Sequence, residues 1–258
     1  EFLRPFYKKN MDSKNIFNIV HEALVKQDVV FFGGFATSLY SDYMPSSFRK
    51  KIEANPDFDV LANHPENVCL FVKNYLKTNN IQNVKIKKHK AIGDIIPDHY
   101  EIIIDEDTVA FIYQTKACYS YNTYKYKKNT IKIATIDTML SFYLAFIYVD
   151  KSYYDVERLL CMSHYLFIVQ QKNRLSQKGL LKRFTDTCYG TQLGKEDIRE
   201  IKQNKYRELK QNNVLKKSKK YQKWFLKYDP SIHMKNNITT KKKSPAKKKN
   251  NTKKKKKT

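Results

Sequence analysis

Hydrophobic and polar positions along the chain predict a first half in which strands and helices alternate. Apolar residues recur at helical spacing over residues 13–26 and again over 65–78, where Pro65 stands near the first turn. Short apolar runs bounded by polar residues predict strands at 28–32, 57–62, 84–89, 100–104, 109–113 and 131–134. A stretch rich in polar residues, 44–56, is expected to be a loop.

The pattern changes near residue 135, where apolar positions become dense over long segments. Residues 135–149 and 152–171 predict two long helices, and Thr135 or Asp137 is available to cap the first. A basic helical region is expected to follow, up to about residue 228. The fold class is therefore predicted to be α+β, with a mixed first half and a helical second half.

Charge separates the end of the chain from its body. The protein has 50 Lys and Arg residues against 25 Asp and Glu, for a net charge of +25, and 12 of the lysines lie in 235–258 without any acid. Such a Lys-rich tail cannot form a core and is expected to be disordered. We therefore expect four parts: an N-terminal helix (1–27), a mixed domain (28–134), a helical domain (135–230) and the tail (231–258).

Several classes of protein are excluded by composition. No apolar run approaches the roughly 18–20 residues that span a bilayer, and the first residues lack the apolar segment of a signal peptide, so no membrane partner is expected. The four cysteines are widely spaced, which predicts reduced thiols in a cytosol-like compartment rather than a zinc site. A strongly basic body favours a phosphate-rich partner. The sequence does not begin with Met, so a fragment and a processed product are both open.

Two carboxylates at Asp57 and Asp59 carry the main chemical signal. Residues i and i+2 of a strand point to the same face, so both acids would lie side by side on one rigid strand. Paired carboxylates suit Mg²⁺, which proteins hold with one or two acids together with substrate phosphates. By itself such a pair is also common at a solvated strand end.

A diglycine, Gly33-Gly34, connects the first predicted strand to a helix. Glycine allows the backbone to approach a triphosphate closely, and the N–H groups at the following helix start attract anions. Thr37 and Ser38 are candidates for further hydroxyl contacts to the nucleotide. A diglycine alone is common in turns; the ordered combination with the two acids makes the signal more specific.

These residues resemble the nucleotidyltransferase (DNA polymerase beta-like) superfamily, whose pattern is hG[GS] followed by a strand with hDh[DE]h. The matching residues are Phe32-Gly33-Gly34 and the segment from Asp57 to Val60. A wider similarity, over roughly 28–195, is to the catalytic subunit of the poly(A) polymerases of large cytoplasmic DNA viruses, of the poxvirus and mimivirus type. The segments that carry it are FFGGFATSLY, NPDFDVLA, FIYQTKACYSYN and IATIDTMLSFYLAFIY.

The resemblance implies a nucleotidyltransferase palm, a mixed sheet flanked by helices, followed by a helical domain that closes over the nucleotide. It implies ATP as substrate, Mg²⁺ or Mn²⁺ as cofactor and an RNA 3′ end as acceptor. A third acid usually completes the metal site in this family. Glu101 is the best local fit, although the family more often has Asp there, and Asp105 is the alternative.

Auxiliary residues are less specific. Lys116 is a candidate for phosphate contact and Tyr119 for stacking on adenine, although both also fit a solvated loop. The segments 121–129 and 215–228 mix aromatic and basic residues, which is typical of single-strand binding surfaces and equally of a solvated basic helix. The histidines are expected to be ordinary core or surface residues: His21, His64, His89, His99, His164 and His233.

The predicted function is therefore that of a poly(A) polymerase catalytic subunit. Two other hypotheses stay open: a nucleotidyltransferase with a different acceptor, such as tRNA, a protein or a small molecule, and a non-catalytic RNA-binding module on the same fold. A homodimer and a regulatory subunit are both open as protein partners. The resemblance places the protein in the host cytoplasm, at the viral factory, or in the virion, and the Lys-rich tail leaves the nucleus open as well.

Overall fold

A computed structural model describes residues 13–44, 56–93, 95–149, 151, 154–183, 185–222 and 224–225. Contacts gather the described residues up to Trp224 into one compact unit. The expected loop at 44–56 and the expected tail at 231–258 lie largely or wholly outside the described residues. The predicted boundaries after residues 27, 134 and 230 stay predictions.

The helices follow the sequence pattern closely at most of their ends. Both 14-residue helices of the first half have the predicted bounds, and Thr135 Oγ1 accepts the backbone N–H of Thr138 at 3.3 Å, as a cap of the fourth helix. The helices are α1 (Ser13–Lys26), α2 (Gly33–Ser38), α3 (Pro65–Thr78), α4 (Ile136–Val149), α5 (Val156–Lys172), α6 (Lys195–Gln211) and α7 (Lys219–Gln222).

Within the described residues, the strands form one mixed sheet of eight strands, in the order β3-β4-β5-β2-β1-β7-β6-β8. Their bounds are β1 (Val30–Phe32), β2 (Phe58–Ala62), β3 (Val84–His89), β4 (His99–Ile104), β5 (Asp107–Gln114), β6 (Tyr119–Tyr126), β7 (Asn129–Ala134) and β8 (Cys188–Tyr189). Two pairs are parallel, β1 with β7 and β2 with β5, and the other pairs are antiparallel.

Helices cover both faces of this sheet, as the contacts of successive β1 side chains show. Phe31 contacts His21 of α1, with ring centroids 5.7 Å apart, whereas Phe32 contacts Phe142 of α4 at 4.7 Å. Because successive strand residues point to opposite faces, α1 and α4 lie on opposite sides of the sheet. The α+β class, with a mixed sheet flanked by helices, is thereby confirmed.

One row of paired residues crosses the sheet on the face that α4 covers. Phe32 pairs with Asp59, Asp59 with Phe111, Phe111 with Glu101, and Glu101 with Lys87. Residues paired across a sheet point to the same side. Asp59 and Glu101 therefore lie on the same face, two strands apart, with Phe111 between them.

Three features differ from the sequence-based expectation. Residues 119–126 form a strand of the sheet rather than a loop, paired with β7 from Tyr121 to Tyr126. The helix expected after the diglycine is short: it ends at Ser38 and is followed by a separate 3₁₀ turn. The reduced state expected for all four cysteines does not hold for one pair, because a disulfide joins Cys118 to Cys188.

In the part of the chain that the structure describes, no helix has the length and apolar character required to cross a membrane.

Candidate active site

A cavity of about 210 Å³ lies against the α4-covered face of the sheet and contains the predicted acids. One wall is the sheet itself and the other is formed by α4, α5 and the segment between them. The residues lining it are Gly33, Gly34, Asp57, Asp59, Lys87, His89, His99, Glu101, Phe111, Tyr113, Tyr143, Phe146, Tyr154, Arg158, Leu159 and Met162. The cavity therefore combines carboxylates, basic groups and aromatic rings.

Asp57 and Asp59 enter the cavity from the start of β2. The strand begins at Phe58, one residue later than the pattern predicts, so Asp57 directly precedes it and Asp59 is its second residue. Asp57 is buried, at 6% exposure, and Asp59 is half-buried, while Phe58 is fully buried in the core. The packing of Phe58 against the rings of α1 and α2 fixes the strand from which both acids project.

Gly33 lies directly against one of these acids. Its φ of +68° is in the left-handed region that side chains disfavour, and a Cβ added there would lie 2.6 Å from both Cβ and Cγ of Asp59. Real Cβ atoms do not approach other atoms so closely. Glycine is therefore required at position 33 both by the turn from β1 into α2 and by the position of the Asp59 carboxylate.

Glu101 also faces the cavity, but its oxygens already accept hydrogen bonds. Thr108 Oγ1 donates to Oε1 at 2.6 Å, His89 Nε2 donates to Oε2 at 2.7 Å, and Lys87 Nζ lies 3.5 Å from Oε2. Burial raises the pKa of Glu101, but the two hydrogen bonds and the Lys87 charge outweigh it, so the pKa lies below its ordinary value. Glu101 is therefore an ionised carboxylate held by its own partners.

Two histidines that the sequence pattern assigned no function line the same cavity. The rings of His89 and His99 stack with centroids 4.8 Å apart, and His99 stacks in turn on Tyr113 at 4.7 Å. His99 Nδ1 donates to Pro97 O at 3.1 Å, and burial lowers the pKa of His99. Pairing β3 with β4 as a hairpin places residue 89 opposite 99 and 87 opposite 101, which is the signal that could have identified them.

The carboxylates of the cavity fit part of the metal site that the sequence predicts. Asp57 and Asp59 supply the two carboxylates with which proteins hold Mg²⁺ beside substrate phosphates. Glu101 does not join them, since no group of three Asp, Glu, His or Cys side chains within the described residues is arranged to hold a metal ion. The site fits one ion shared with a ligand rather than a preformed three-carboxylate centre.

The helical wall is aromatic and, among the residues that the structure describes, carries one cation. Burial raises the pKa of Tyr113 and Tyr143 far above the ordinary phenol value, so both hydroxyls are neutral at physiological pH. Phe146 and Tyr154 stack with centroids 4.6 Å apart. Arg158, on α5, is the cation of this wall; no sequence motif singled it out.

Thr37 and Ser38 lie on α2 without lining the cavity. Thr37 is fully buried, its Oγ1 donates to Gly33 O at 2.8 Å, and the same hydroxyl is hydrogen-bonded to Tyr143 Oη at 2.8 Å. Ser38 Oγ donates to Phe35 O at 2.7 Å. Both hydroxyls thus have partners within the fold, and Thr37 supports the cavity indirectly by holding Tyr143.

The remaining predicted residues lie outside the cavity. Asp105 is in the turn between β4 and β5, with a φ of 55°, and accepts a hydrogen bond from Asn83 Nδ2 at 3.2 Å. Lys116 lies between β5 and β6. Tyr119 packs against Phe142 at 5.3 Å and lines a separate surface depression with Cys118 and Asp137. The structure therefore brings Gly33, Gly34, Asp57, Asp59 and Glu101 together, and does not bring the others to them.

Asp137 was a candidate cap for α4, but its carboxylate binds an arginine side chain instead. It forms a bidentate pair with Arg183, in which Nε and one terminal nitrogen donate at 2.9–3.1 Å. The pair joins the start of α4 to the segment after α5.

Comparison with known proteins identifies a structure with a similar fold. No protein-family profile matches the chain, and no curated protein matches its sequence. Among solved structures, the chain is similar to the crystal structure of the Megavirus polyadenylate synthase, with a TM-score of 0.58 and 10% sequence identity. The match covers 93% of this chain and 50% of the synthase, so this chain spans half the length of that structure. At this identity the similarity extends to the architecture, and the chain has a nucleotidyltransferase-like fold.

Proposed function

We propose that this protein transfers AMP from ATP to the 3′ end of RNA. The observation that carries the proposal is the pair Asp57 and Asp59, set beside Gly33 in a cavity of a nucleotidyltransferase-like fold. The similarity to a polyadenylate synthase supports adenylate as the transferred group. The basic excess of the chain supports a polyanionic acceptor.

In this proposal Asp57 and Asp59 hold the divalent ion together with the nucleotide's phosphates. When bound, Mg²⁺ supplies charge neutralisation at the phosphates and acidifies the acceptor hydroxyl. The 3′ oxygen of RNA forms a bond to the α-phosphorus, the bond from that phosphorus to the bridging oxygen breaks, and pyrophosphate leaves. The hydroxyl proton passes to solvent. The role of Asp57 and Asp59 is to orient the phosphates, and Gly33 keeps Asp59 in place.

The aromatic wall gives the nucleobase a place to bind. Rings such as Phe146 and Tyr154 offer stacking surface, which is favourable for any base. The neutral hydroxyl of Tyr143 already donates to Thr37 and can accept a hydrogen bond from the base. Selection of adenine over the other bases would come from such polar groups, because stacking alone is tolerant of sequence.

Primer extension with each ribonucleoside triphosphate offered separately tests the proposal. We expect Mg²⁺-dependent lengthening of an RNA primer with ATP and much less with the others. Asp57→Asn and Asp59→Asn should each abolish extension while RNA binding in a gel-shift assay is retained. Asp186→Asn, at an exposed position away from the cavity, is the matched control. Normal extension by both cavity variants would show that the catalytic assignment is wrong.

A second candidate, a non-catalytic RNA-binding module, is favoured by one observation. Glu101 is held by Thr108, His89 and Lys87 instead of joining the aspartates. Tight RNA binding without incorporation from any triphosphate, with RNA, tRNA or protein as acceptor, would support it. Extension of tRNA or labelling of a protein in place of RNA would instead keep the transferase and change the acceptor.

A further inference from the structure

Arg158 presents a positive charge to the cavity, and its side chain has no partner among the residues that the structure describes. Its Nε is buried and has no hydrogen-bond acceptor, and its guanidinium forms no ion pair with any residue the structure describes. Two acids lie close to Arg158 in sequence. Glu157 directly precedes it and is exposed, and adjacent positions on a helix do not face each other. Asp155 uses Oδ1 to accept the backbone N–H of Arg158 at 3.0 Å, as the cap of α5.

An unpaired guanidinium donor in a half-buried site is unfavourable in the absence of a ligand. Burying a donor without an acceptor costs the desolvation of that group, and the cost is larger when the group is charged. The other side chains around Arg158 on this wall do not compensate it, because they are apolar or neutral: Tyr143, Phe146, Leu159 and Met162. A bound anion would satisfy both the charge and the hydrogen bond.

The position of Arg158 relative to the acids restricts that anion. Arg158 lines the same cavity of about 210 Å³ as Asp57 and Asp59, with Arg158 on the helical wall and the acids on the sheet. A ligand that fits here carries negative oxygens for Arg158 and reaches a cation held by the two aspartates. A polyphosphate meets both requirements, because its phosphates bridge a divalent ion and a guanidinium fork at the same time.

We propose that Arg158 binds the β- and γ-phosphates of the nucleotide and so distinguishes a triphosphate from a monophosphate. This inference rests on the proposed function and adds to it the residue that recognises the leaving group. Arg158 touches the part of the nucleotide that departs as pyrophosphate. Its contribution is thus specific to ATP and pyrophosphate and absent for AMP.

Calorimetric titration of the full chain with ATP, pyrophosphate and AMP, in the presence of Mg²⁺ and without RNA, tests this assignment. Arg158→Gln should weaken binding of ATP and of pyrophosphate by about 10- to 100-fold, the usual effect of losing a charge-assisted contact, and change AMP binding by less than about twofold. Arg158→Lys should restore part of the loss. Arg174→Gln removes a cation that lies outside the cavity and is the matched control.

The melting temperature without ligand distinguishes binding from a structural role. If Arg158 only stabilised the fold, its replacement would lower the melting temperature. Because Arg158 is unpaired in the fold, Arg158→Gln should melt at or above the wild-type temperature, whereas pyrophosphate should raise the melting temperature of the wild type alone. An Arg158→Gln variant that fails to fold would show that Arg158 stabilises the fold, which would overturn the assignment.

The outcomes separate this inference from the proposed function. Equal affinity of wild type and Arg158→Gln for ATP would overturn the role of Arg158 and leave the transferase proposal standing. An equal loss for ATP and AMP would likewise contradict recognition of the terminal phosphates. Absence of any nucleotide binding by the wild type would overturn both, and tight binding of inorganic phosphate but not of ATP would show an anion site without a nucleotide function.

Discussion

The carboxylate of Asp59 lies against the backbone of Gly33, so that the first turn of α2 and the second residue of β2 occupy adjoining space. Any side chain at position 33 would overlap Asp59. The two sequence motifs, the diglycine and the paired aspartates, are thus in direct contact through Gly33 and Asp59.

Gly33→Ala should disable the site by displacing Asp59. We expect extension activity to fall by about 100-fold, the size of effect that a displacement of about 1 Å has on a reaction rate. Gly179→Ala separates strain from overlap, because Gly179 has a similar φ of +55° and open space around it. Both variants should lose roughly 1–2 kcal/mol of stability from the left-handed conformation, but only the first should lose function.

Thr108→Val should destabilise the protein by removing a hydrogen bond to Glu101. It removes a 2.6 Å hydrogen bond to a charged carboxylate, so we expect a loss of about 1.5–3 kcal/mol in the free energy of unfolding at pH 7. The pKa of Glu101 is lowered in the folded state, so this stabilisation is present above the ordinary carboxyl pKa and disappears as the pH falls through the folded value. Urea denaturation at several pH values measures it; Thr108→Ser keeps the hydroxyl and should behave as wild type.

His21 should make the protein less stable in mild acid. Burial among aromatic rings, with a smaller contribution from Lys127, lowers the pKa of His21 from 6.5 to about 4. The unfolded chain takes up a proton below pH 6.5 while the folded chain does not, so stability is full above 6.5 and falls by up to about 3 kcal/mol as the pH approaches 4.

His21→Phe tests this, since Nε2 has no hydrogen-bond partner among the described residues. The variant should lose less stability than wild type between pH 7 and pH 4.5 in chemical denaturation. His164→Phe, at an exposed position, should leave the slope unchanged. A wild-type slope in the His21 variant would contradict the assignment to burial.

Reduction of the Cys118–Cys188 disulfide should destabilise the attachment of β8 to β6. The cysteines are separated by 70 residues, and closing a loop of that length is worth about 4 kcal/mol in the chain-entropy treatment. Dithiothreitol should therefore lower the melting temperature of the wild type and leave a Cys118→Ser, Cys188→Ser double variant unaffected. Peptide mapping that finds both thiols free in the purified protein would contradict the pairing.

Local patterns were sufficient for part of the site. Asp57 and Asp59 could be paired from strand periodicity alone, and Glu101 was recognised as an acid within an apolar strand. Local patterns do not identify His89 and Arg158 as cavity residues, because their positions depend on how separate elements of the fold pair and pack. His89 reaches Glu101 only through the β3–β4 pairing, and Arg158 reaches the cavity only through the packing of α5.

The fold shows the same division between local and non-local information. Most helix and strand bounds followed from periodicity, but the eight-strand order did not. The sequence pattern does not predict a strand over 119–126, because its tyrosines are interspersed with Ser, Asn, Thr and Lys instead of aliphatic residues. Its partner β7 supplies the apolar positions, Ile131 and Ile133, which are buried where the segment itself is largely half-exposed.

The three-residue strand β1 lies between β2 and β7, and its partners are made at very different times. During synthesis β2 soon follows β1, whereas Val30 must wait for Lys132 before its other edge is paired. Until then Phe31 and Phe32 border an open strand edge, which is the kind of surface that chaperones bind and that promotes association between nascent chains. The cavity is completed later still, because its last lining residues, Arg158, Leu159 and Met162, belong to α5 and are synthesised after every strand that carries an acid of the site.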